Sequence, residues 1–154
     1  MQLCGFPARE LAASLIRQHV APEAETALGC ALVTQGLATA CIDISDGLST
    51  DLHRLCRASG CGALVEAIRV PIFQDLPEYA ASFGIDPSKA ALHGGEEYAL
   101  LFTSRLRESE LSSRLGRPVY AIGRIVEGSS VMIETESGVT PLKRGGFDHF
   151  AGQA

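Results

Sequence analysis

The sequence predicts an α/β fold in which a layered mixed sheet is flanked by helices. Apolar, strand-like runs alternate with segments whose leucines recur at helical spacing, a pattern typical of layered α/β domains. The clearest example is the apolar run 38–43, which is followed by the leucine-spaced segment 48–59. Two further strand-like runs, 119–125 and 130–134, are separated by a short turn. A closing pair of this kind favours a mixed sheet over a purely parallel one.

Proline and glycine positions define the helices of the first third. Pro7 suits the first turn of a helix over 7–20, and Pro22 suits the start of a second helix that Gly36 ends. The run 38–43 then predicts a buried strand that leads through a turn into the helix 48–59.

The remaining elements are predicted from similar sequence signals. Strands are predicted at 63–67 and 98–103, in addition to the closing pair. Three helices are also predicted. One covers 79–83, one follows the cap Asp86-Pro87-Ser88, and one covers 105–115.

Composition limits the possible functions of the 154-residue chain. Hydrophobic residues make up 46% and charged residues 20%, so one domain with a real core is expected. A net charge of −5 argues against a non-specific nucleic-acid surface, which needs a basic stripe. The 5 cysteines form no CxxC pair and no zinc spacing, as expected of reduced thiols. With no targeting or membrane-spanning segment recognisable, the expected location is the cytoplasm and no membrane contact is expected.

The first candidate site is the turn Asp43-Ile44-Ser45-Asp46-Gly47, between the predicted strand and helix. Ligands of open α/β sheets gather at the carboxyl ends of strands. Mg²⁺ takes oxygen ligands and needs one or two carboxylates beside substrate phosphates, so Asp43 and Asp46 are candidate metal ligands. The alternative is that Ser45 or Asp46 only caps the helix. Asp43 is harder to explain structurally, because a carboxylate that closes a buried strand is costly without a partner.

The second candidate site is the segment 94–98, Gly-Gly-Glu-Glu-Tyr. Its glycines permit close backbone approach to a ligand, and Glu96 lies beside them. A tight turn with two solvated acids is the alternative. Phe147 and Phe150 are aromatic groups that could stack on a ring or pin the end of the chain to the core.

Three motifs in this order resemble one family, the thiamine-monophosphate kinases. The run 43–52 is similar to the family pattern DISDGL-x-x-DL, 94–100 is similar to GGEDYEL, and 146–150 is similar to a closing glycine-aromatic-DHF. The resemblance extends from about residue 22 to residue 150. It implies a fold like the PurM C-terminal domain, with 1–21 as a helical segment leading into an AIR synthase-related C-terminal domain at 22–154.

The resemblance also implies an activity, in which ATP donates its γ-phosphate to thiamine monophosphate and gives thiamine diphosphate. By match, Asp43 and Asp46 resemble Mg²⁺ ligands at the catalytic centre, and Ser45 resembles an ATP contact. Glu96 and Phe147 resemble residues that hold thiamine monophosphate. The family's enzymes are homodimers whose N-terminal domain carries most metal ligands. That domain is not recognisable here, so the chain alone is expected to be inactive.

The sequence departs from the family pattern at two positions, and two rival functions stay open. Glu97 stands where the family pattern has Asp, and Ala99 where it has Glu. The first rival is another PurM-like ATP-dependent enzyme, such as an aminoimidazole ribonucleotide synthetase, a selenophosphate synthetase or the hydrogenase-maturation dehydratase. The second rival is a stand-alone binding module without catalysis.

Overall fold

The computed structural model describes residues 20–74 and 76–145. Its helices are α1 (Thr26–Thr34), α2 (Leu48–Ser59), α3 (Leu76–Ala81), α4 (Pro87–His93) and α5 (Glu108–Leu115), with a 3₁₀ turn at Ala67–Arg69. Its strands are β1 (Ala40–Asp43), β2 (Gly62–Glu66), β3 (Leu100–Thr103), β4 (Gly123–Val126), β5 (Val131–Thr135) and β6 (Gly138–Pro141). No helix in this part of the chain is long and apolar enough to cross a membrane.

The strands form two sheets, and the predicted mixed α/β architecture is confirmed. β1 and β3 pair antiparallel, with Asp43 opposite Leu100. The larger sheet has the order β4-β2-β5-β6, in which β2 and β5 are parallel and the other pairs antiparallel. β4 and β5 follow each other along the chain, but β2 lies between them in space.

Helix α2 connects the two sheets and has the predicted bounds. Leu48, Leu52 and Leu55 are only 4–7% exposed and belong to the main core cluster with Val65 of β2 and Ile133 of β5. Burying each leucine stabilises the fold by roughly 1.5–3 kcal/mol. A second cluster joins α1 and α5 through buried leucines, Leu32, Leu37 and Leu111.

Some predicted boundaries shift. Helix α1 begins at Thr26, four residues after the proline expected to open it, and its end is followed by Gly36 in a left-handed conformation. The predicted strand 98–103 is shorter, as β3, and β6 was not predicted at all. The predicted helix 7–20 lies outside the described residues except for its last position.

The prediction that 38–43 is a buried strand is wrong. β1 covers only 40–43, and its residues alternate between half-buried and exposed, with Cys41 and Asp43 on the exposed side. The physical reason is that β1 pairs with β3 alone, and no described element covers the face that carries these two side chains.

Candidate functional site

The two candidate turns lie against each other. β1 and β3 are antiparallel partners, and the pairing continues beyond them as Tyr98 donates its N–H to the Ile44 carbonyl at 2.9 Å. Glu96 then donates its N–H to the carbonyl of Ser45 at 2.8 Å. Gly95 lies so close that a Cβ there would fall 2.6 Å from the same Ser45 oxygen. The structure therefore brings together two motifs that lie about fifty residues apart in the sequence.

A buried carboxylate holds the first turn. Asp51, in the first turn of α2, is 0% exposed. Its Oδ2 accepts the backbone N–H groups of Ser45 and Asp46, both at 2.9 Å. Its Oδ1 accepts Nη1 of Arg54 at 2.6 Å, and Nη2 of Arg54 donates to Asp46 Oδ2. These bonds to Asp46 and then Asp51 raise the pKa of the Arg54 guanidinium.

The structure excludes the interpretation in which Ser45 or Asp46 caps α2. The N-cap residue is Gly47, and no side-chain hydrogen bond caps the helix. Asp46 instead forms its ion pair with Arg54, so its carboxylate is held at the turn by a cation from the second turn of α2.

Asp43 differs from Asp46 and Asp51, because its carboxylate has no hydrogen-bond or ion-pair partner among the described residues. It ends β1 on the exposed face, and none of its hydrogen bonds or ion pairs in the described ranges involves the carboxylate. Burial, and then the charge of Asp43, raise the pKa of the Cys41 thiol two residues earlier. The sequence argument based on costly burial therefore does not hold for Asp43. Its availability for a ligand now supports the same assignment.

The second turn carries backbone strain. Glu96 and Tyr98 have positive φ values of 63° and 50°, in the left-handed region that non-glycine residues rarely adopt. Both line a cavity of about 450 Å³ together with Val20, Pro22 and Ala24. Strained residues of this kind are concentrated at functional sites, because the surrounding structure must hold them in place.

Glu97 has a different environment from Glu96. It lines a larger cavity of about 660 Å³, whose walls include members of both hydrophobic clusters. Desolvation raises the pKa of its carboxyl group, although part of the residue is exposed. The predicted ligands Asp43, Ser45, Asp46 and Glu96 are not among the residues that line this larger cavity.

Hydrogen bonds form a junction between α2, α4 and the end of the described chain. Ser49 is 0% exposed, and its Oγ lies 2.8 Å from Nδ1 of His93. Gly145 donates its N–H to the same Oγ at 3.3 Å. His53 Nδ1 contacts the carbonyl of Ser49 at 2.7 Å, one turn earlier in the same helix. Phe147 lies outside the described residues, two positions beyond this junction.

We expect Gly145→Ala to weaken this junction. A Cβ there would fall 2.4 Å from Nδ1 of His93, whose ring is held by Ser49. Overpacking of this kind costs about 1–3 kcal/mol, measurable as a lower free energy of unfolding in urea. In a His93→Ala background the same substitution should cost much less, because the opposing ring is gone. Equal costs in both backgrounds would contradict the contact.

The oxygen donors present fit part of a magnesium site. Asp43 and Asp46 supply carboxylate oxygens from one turn, the ligand type that Mg²⁺ prefers. Over 20–74 and 76–145, however, no group of three or more His, Cys, Asp or Glu residues is arranged to hold a metal ion. Further oxygens would have to come from substrate phosphates or from residues beyond the described ones.

Sequence reasoning missed the residues that organise the site. Asp51, Arg54 and Ser49 lie within or next to the first motif, yet only their contacts show what they do. The available signal was an aspartate in the first turn of a helix directly after a carboxylate-rich turn. An acid at that position is ordinarily explained by the helix dipole, so its position alone does not reveal the role of Asp51.

The sequence matches the family described as AIR synthase related protein, C-terminal domain, over residues 10–135. The chain belongs to this family. The AIR synthase related domain was expected from the three motifs, and the match confirms the resemblance and the predicted fold class.

Two relatives of this chain are consistent with the resemblance to thiamine-monophosphate kinases. The thiamine-monophosphate kinase of Escherichia coli (strain K12) is 37% identical over 147 residues, which cover 89% of this chain and 42% of the relative. The enzyme of that name from Pyrococcus abyssi is 35% identical over 119 residues, covering 75% of this chain and 35% of the relative. The chain therefore spans less than half the length of these relatives.

A solved structure has a similar fold. The structure titled AaThiL complexed with AMPPCP and TMP matches with a TM-score of 0.78 at 29% identity. The match covers 97% of this chain and 44% of that protein. Both the curated relatives and this structure thus match this chain along most of its length.

Proposed function

We propose that this chain is the C-terminal domain of an ATP-dependent kinase that converts thiamine monophosphate to thiamine diphosphate. The observation that carries the proposal is the backbone pairing of the two candidate turns, which joins Ser45 and Glu96 in one place. Thiamine-monophosphate kinases are the relatives that match most of this chain, and one matching structure is a complex with AMPPCP and TMP. AMPPCP is an ATP analogue, which supports ATP as the phosphate donor.

Phosphoryl transfer depends mainly on charge neutralisation and in-line placement. An oxygen of the thiamine monophosphate phosphate would attack the γ-phosphorus of ATP, the bond from that phosphorus to the bridging oxygen would break, and ADP would leave. Asp43 and Asp46 would hold Mg²⁺ at the catalytic centre, where it would supply positive charge that offsets the charge of the phosphates.

The other predicted residues would bind the two substrates. The Ser45 hydroxyl would contact ATP from the turn that Asp51 holds. Glu96 lines the smaller cavity, and a carboxylate beside a cationic aromatic group suits the thiamine end of the substrate. Phe147 keeps its predicted role of holding thiamine monophosphate. A further domain that completes the site, a homodimer and a cytoplasmic location also stay predictions.

A chimera tests the function directly. We would replace the matching 147 residues of the Escherichia coli relative with this chain and measure thiamine diphosphate formed from thiamine monophosphate, ATP and Mg²⁺. The chimera should be active, while the 154-residue chain alone should form no product, because it spans 42% of that relative. A second chimera on the Pyrococcus abyssi relative covers the case in which the first fails to fold.

Folded chimeras that neither bind thiamine monophosphate nor form thiamine diphosphate would refute the proposal. ATP cleavage that depends on a different acceptor, such as an aminoimidazole precursor or selenide, would instead identify another PurM-like enzyme. Tight binding of thiamine monophosphate without turnover in either chimera would favour the non-catalytic binding module.

A further inference from the structure

The turn 43–47 has almost all of its backbone polar groups committed. Ser45 and Asp46 donate their N–H groups to Asp51, and the Ser45 carbonyl accepts from Glu96. The Gly47 carbonyl accepts the N–H groups of Thr50 and Asp51 at 3.0 Å each. The path of this turn is therefore set by one buried side chain on one side and by the second candidate turn on the other.

Asp51 is unusual because its charge is completely buried. A buried carboxylate is tolerated only when charged or polar donors compensate it, and here three donors do so at 2.6–2.9 Å. Two of these donors are backbone groups of residues with predicted catalytic or ATP-binding roles. The third is the guanidinium of Arg54, which also donates to the carboxylate of Asp46.

We infer that Asp51 is a positioning residue, which holds the backbone of Ser45 and Asp46 directly and the carboxylate of Asp46 through Arg54. Asp51 does not touch a substrate in this role. Its planar carboxylate and the guanidinium fork fix where the oxygens of Asp46 and Ser45 lie before a ligand arrives. The inference rests on the proposed function only for what these oxygens are positioned to bind.

The chemistry of the fork explains why arginine stands at position 54. A guanidinium presents donors in a rigid plane and can hold two carboxylates at once, whereas a lysine ammonium acts as a point charge. Arg54 uses Nη1 for Asp51 and Nη2 for Asp46. A lysine would keep the net charge but could not reproduce both contacts, so Arg54→Lys separates positioning from simple charge balance.

Amide hydrogen exchange tests the inference in the 154-residue chain itself. In Asp51→Asn, an amide NH₂ would face either the two backbone donors or Arg54, and no rotamer satisfies both. The Ser45 and Asp46 amides should then exchange about 10- to 100-fold faster, after normalisation to a core amide such as that of Val65. Leu55→Ala is the matched control, because it removes a buried side chain of the same helix without touching the turn.

Exchange at Ser45 and Asp46 that is unchanged in Asp51→Asn would overturn the inference. So would a loss that Leu55→Ala reproduces after normalisation, because the role of Asp51 would then be general stability. This measurement needs no substrate, so it decides the inference even if both chimeras prove inactive and the proposed function fails.

Kinetics of an active chimera supply the second measurement. Both Asp51→Asn and Arg54→Lys should lower kcat, by about 10-fold or more for Asp51→Asn. Wild-type kcat in Arg54→Lys would show that the charge alone matters and would remove Arg54 from the positioning role. Wild-type kcat in Asp51→Asn, with the turn shown to be loosened by exchange, would refute positioning for catalysis.

Discussion

Replacing Asp43 by asparagine in an active chimera should lower kcat by about 100-fold and leave the thermal stability nearly unchanged. The side chain is exposed at the end of β1 and makes no hydrogen bond or ion pair with another residue of the described chain. Asparagine keeps the shape but removes the charge that would offset Mg²⁺ and the phosphates. An exposed substitution without contacts changes the free energy of unfolding by no more than about 0.5 kcal/mol.

Turnover and thermal unfolding should be measured on each variant at several Mg²⁺ concentrations. Glu97→Gln is the comparison, because Glu97 is an acid of the second turn that faces the larger cavity. Its effect on kcat should be much smaller than that of Asp43→Asn. An Asp43→Asn enzyme with normal kcat and unchanged Mg²⁺ dependence would exclude the ligand role.

Local sequence signals were enough to place the first motif on the fold. The leucine spacing predicted the bounds of α2, and Gly60, directly after the helix, adopts the left-handed conformation that ends helices. The position of Asp43 at a strand end, shortly before the helix, is confirmed for the same reason. These features depend on residues that are close together in the sequence, where propensity and periodicity are informative.

Features that depend on distant neighbours were not predictable in the same way. The apolar run before Asp43 has the composition of a buried strand, but burial is decided by which elements cover it. Among the described strands, β1 pairs with β3 alone. The insertion of β2 between β4 and β5 is likewise a property of the topology. Short β6 is Gly-Val-Thr-Pro, exposed along its whole length, and lacks the apolar pattern that marked the other strands.

The same distinction between local and long-range features applies to the candidate site. The motifs identified the ligand candidates, but spacing alone could not show that the turns pair through their backbones or that Asp51 supports one of them. A buried aspartate and a solvated one look identical in sequence. The contact between the turns requires glycine at specific positions, and at Gly47 close contact is combined with a positive φ.

Gly47→Ala should destabilise the chain by about 2–5 kcal/mol, the sum of backbone strain and overpacking. Gly47 has φ of 99° and ψ of 148°, a conformation that is essentially confined to glycine. A Cβ there would also fall 2.8 Å from the Gly94 carbonyl oxygen and 2.9 Å from that of His93. These are backbone atoms of the second turn, so alanine can be accommodated only if the two turns move apart.

Gly60→Ala is the matched control at the opposite end of α2. Gly60 also has a positive φ, of 64°, but nothing lies within 4 Å of the Cβ that alanine would add. It should therefore show only the cost of the left-handed conformation, about 1–2 kcal/mol. Urea unfolding of both variants measures the difference, which reports the contact between the turns. If Gly47→Ala costs no more than Gly60→Ala, the two turns are not packed as closely as the structure shows, and the site they form would lose its geometric basis.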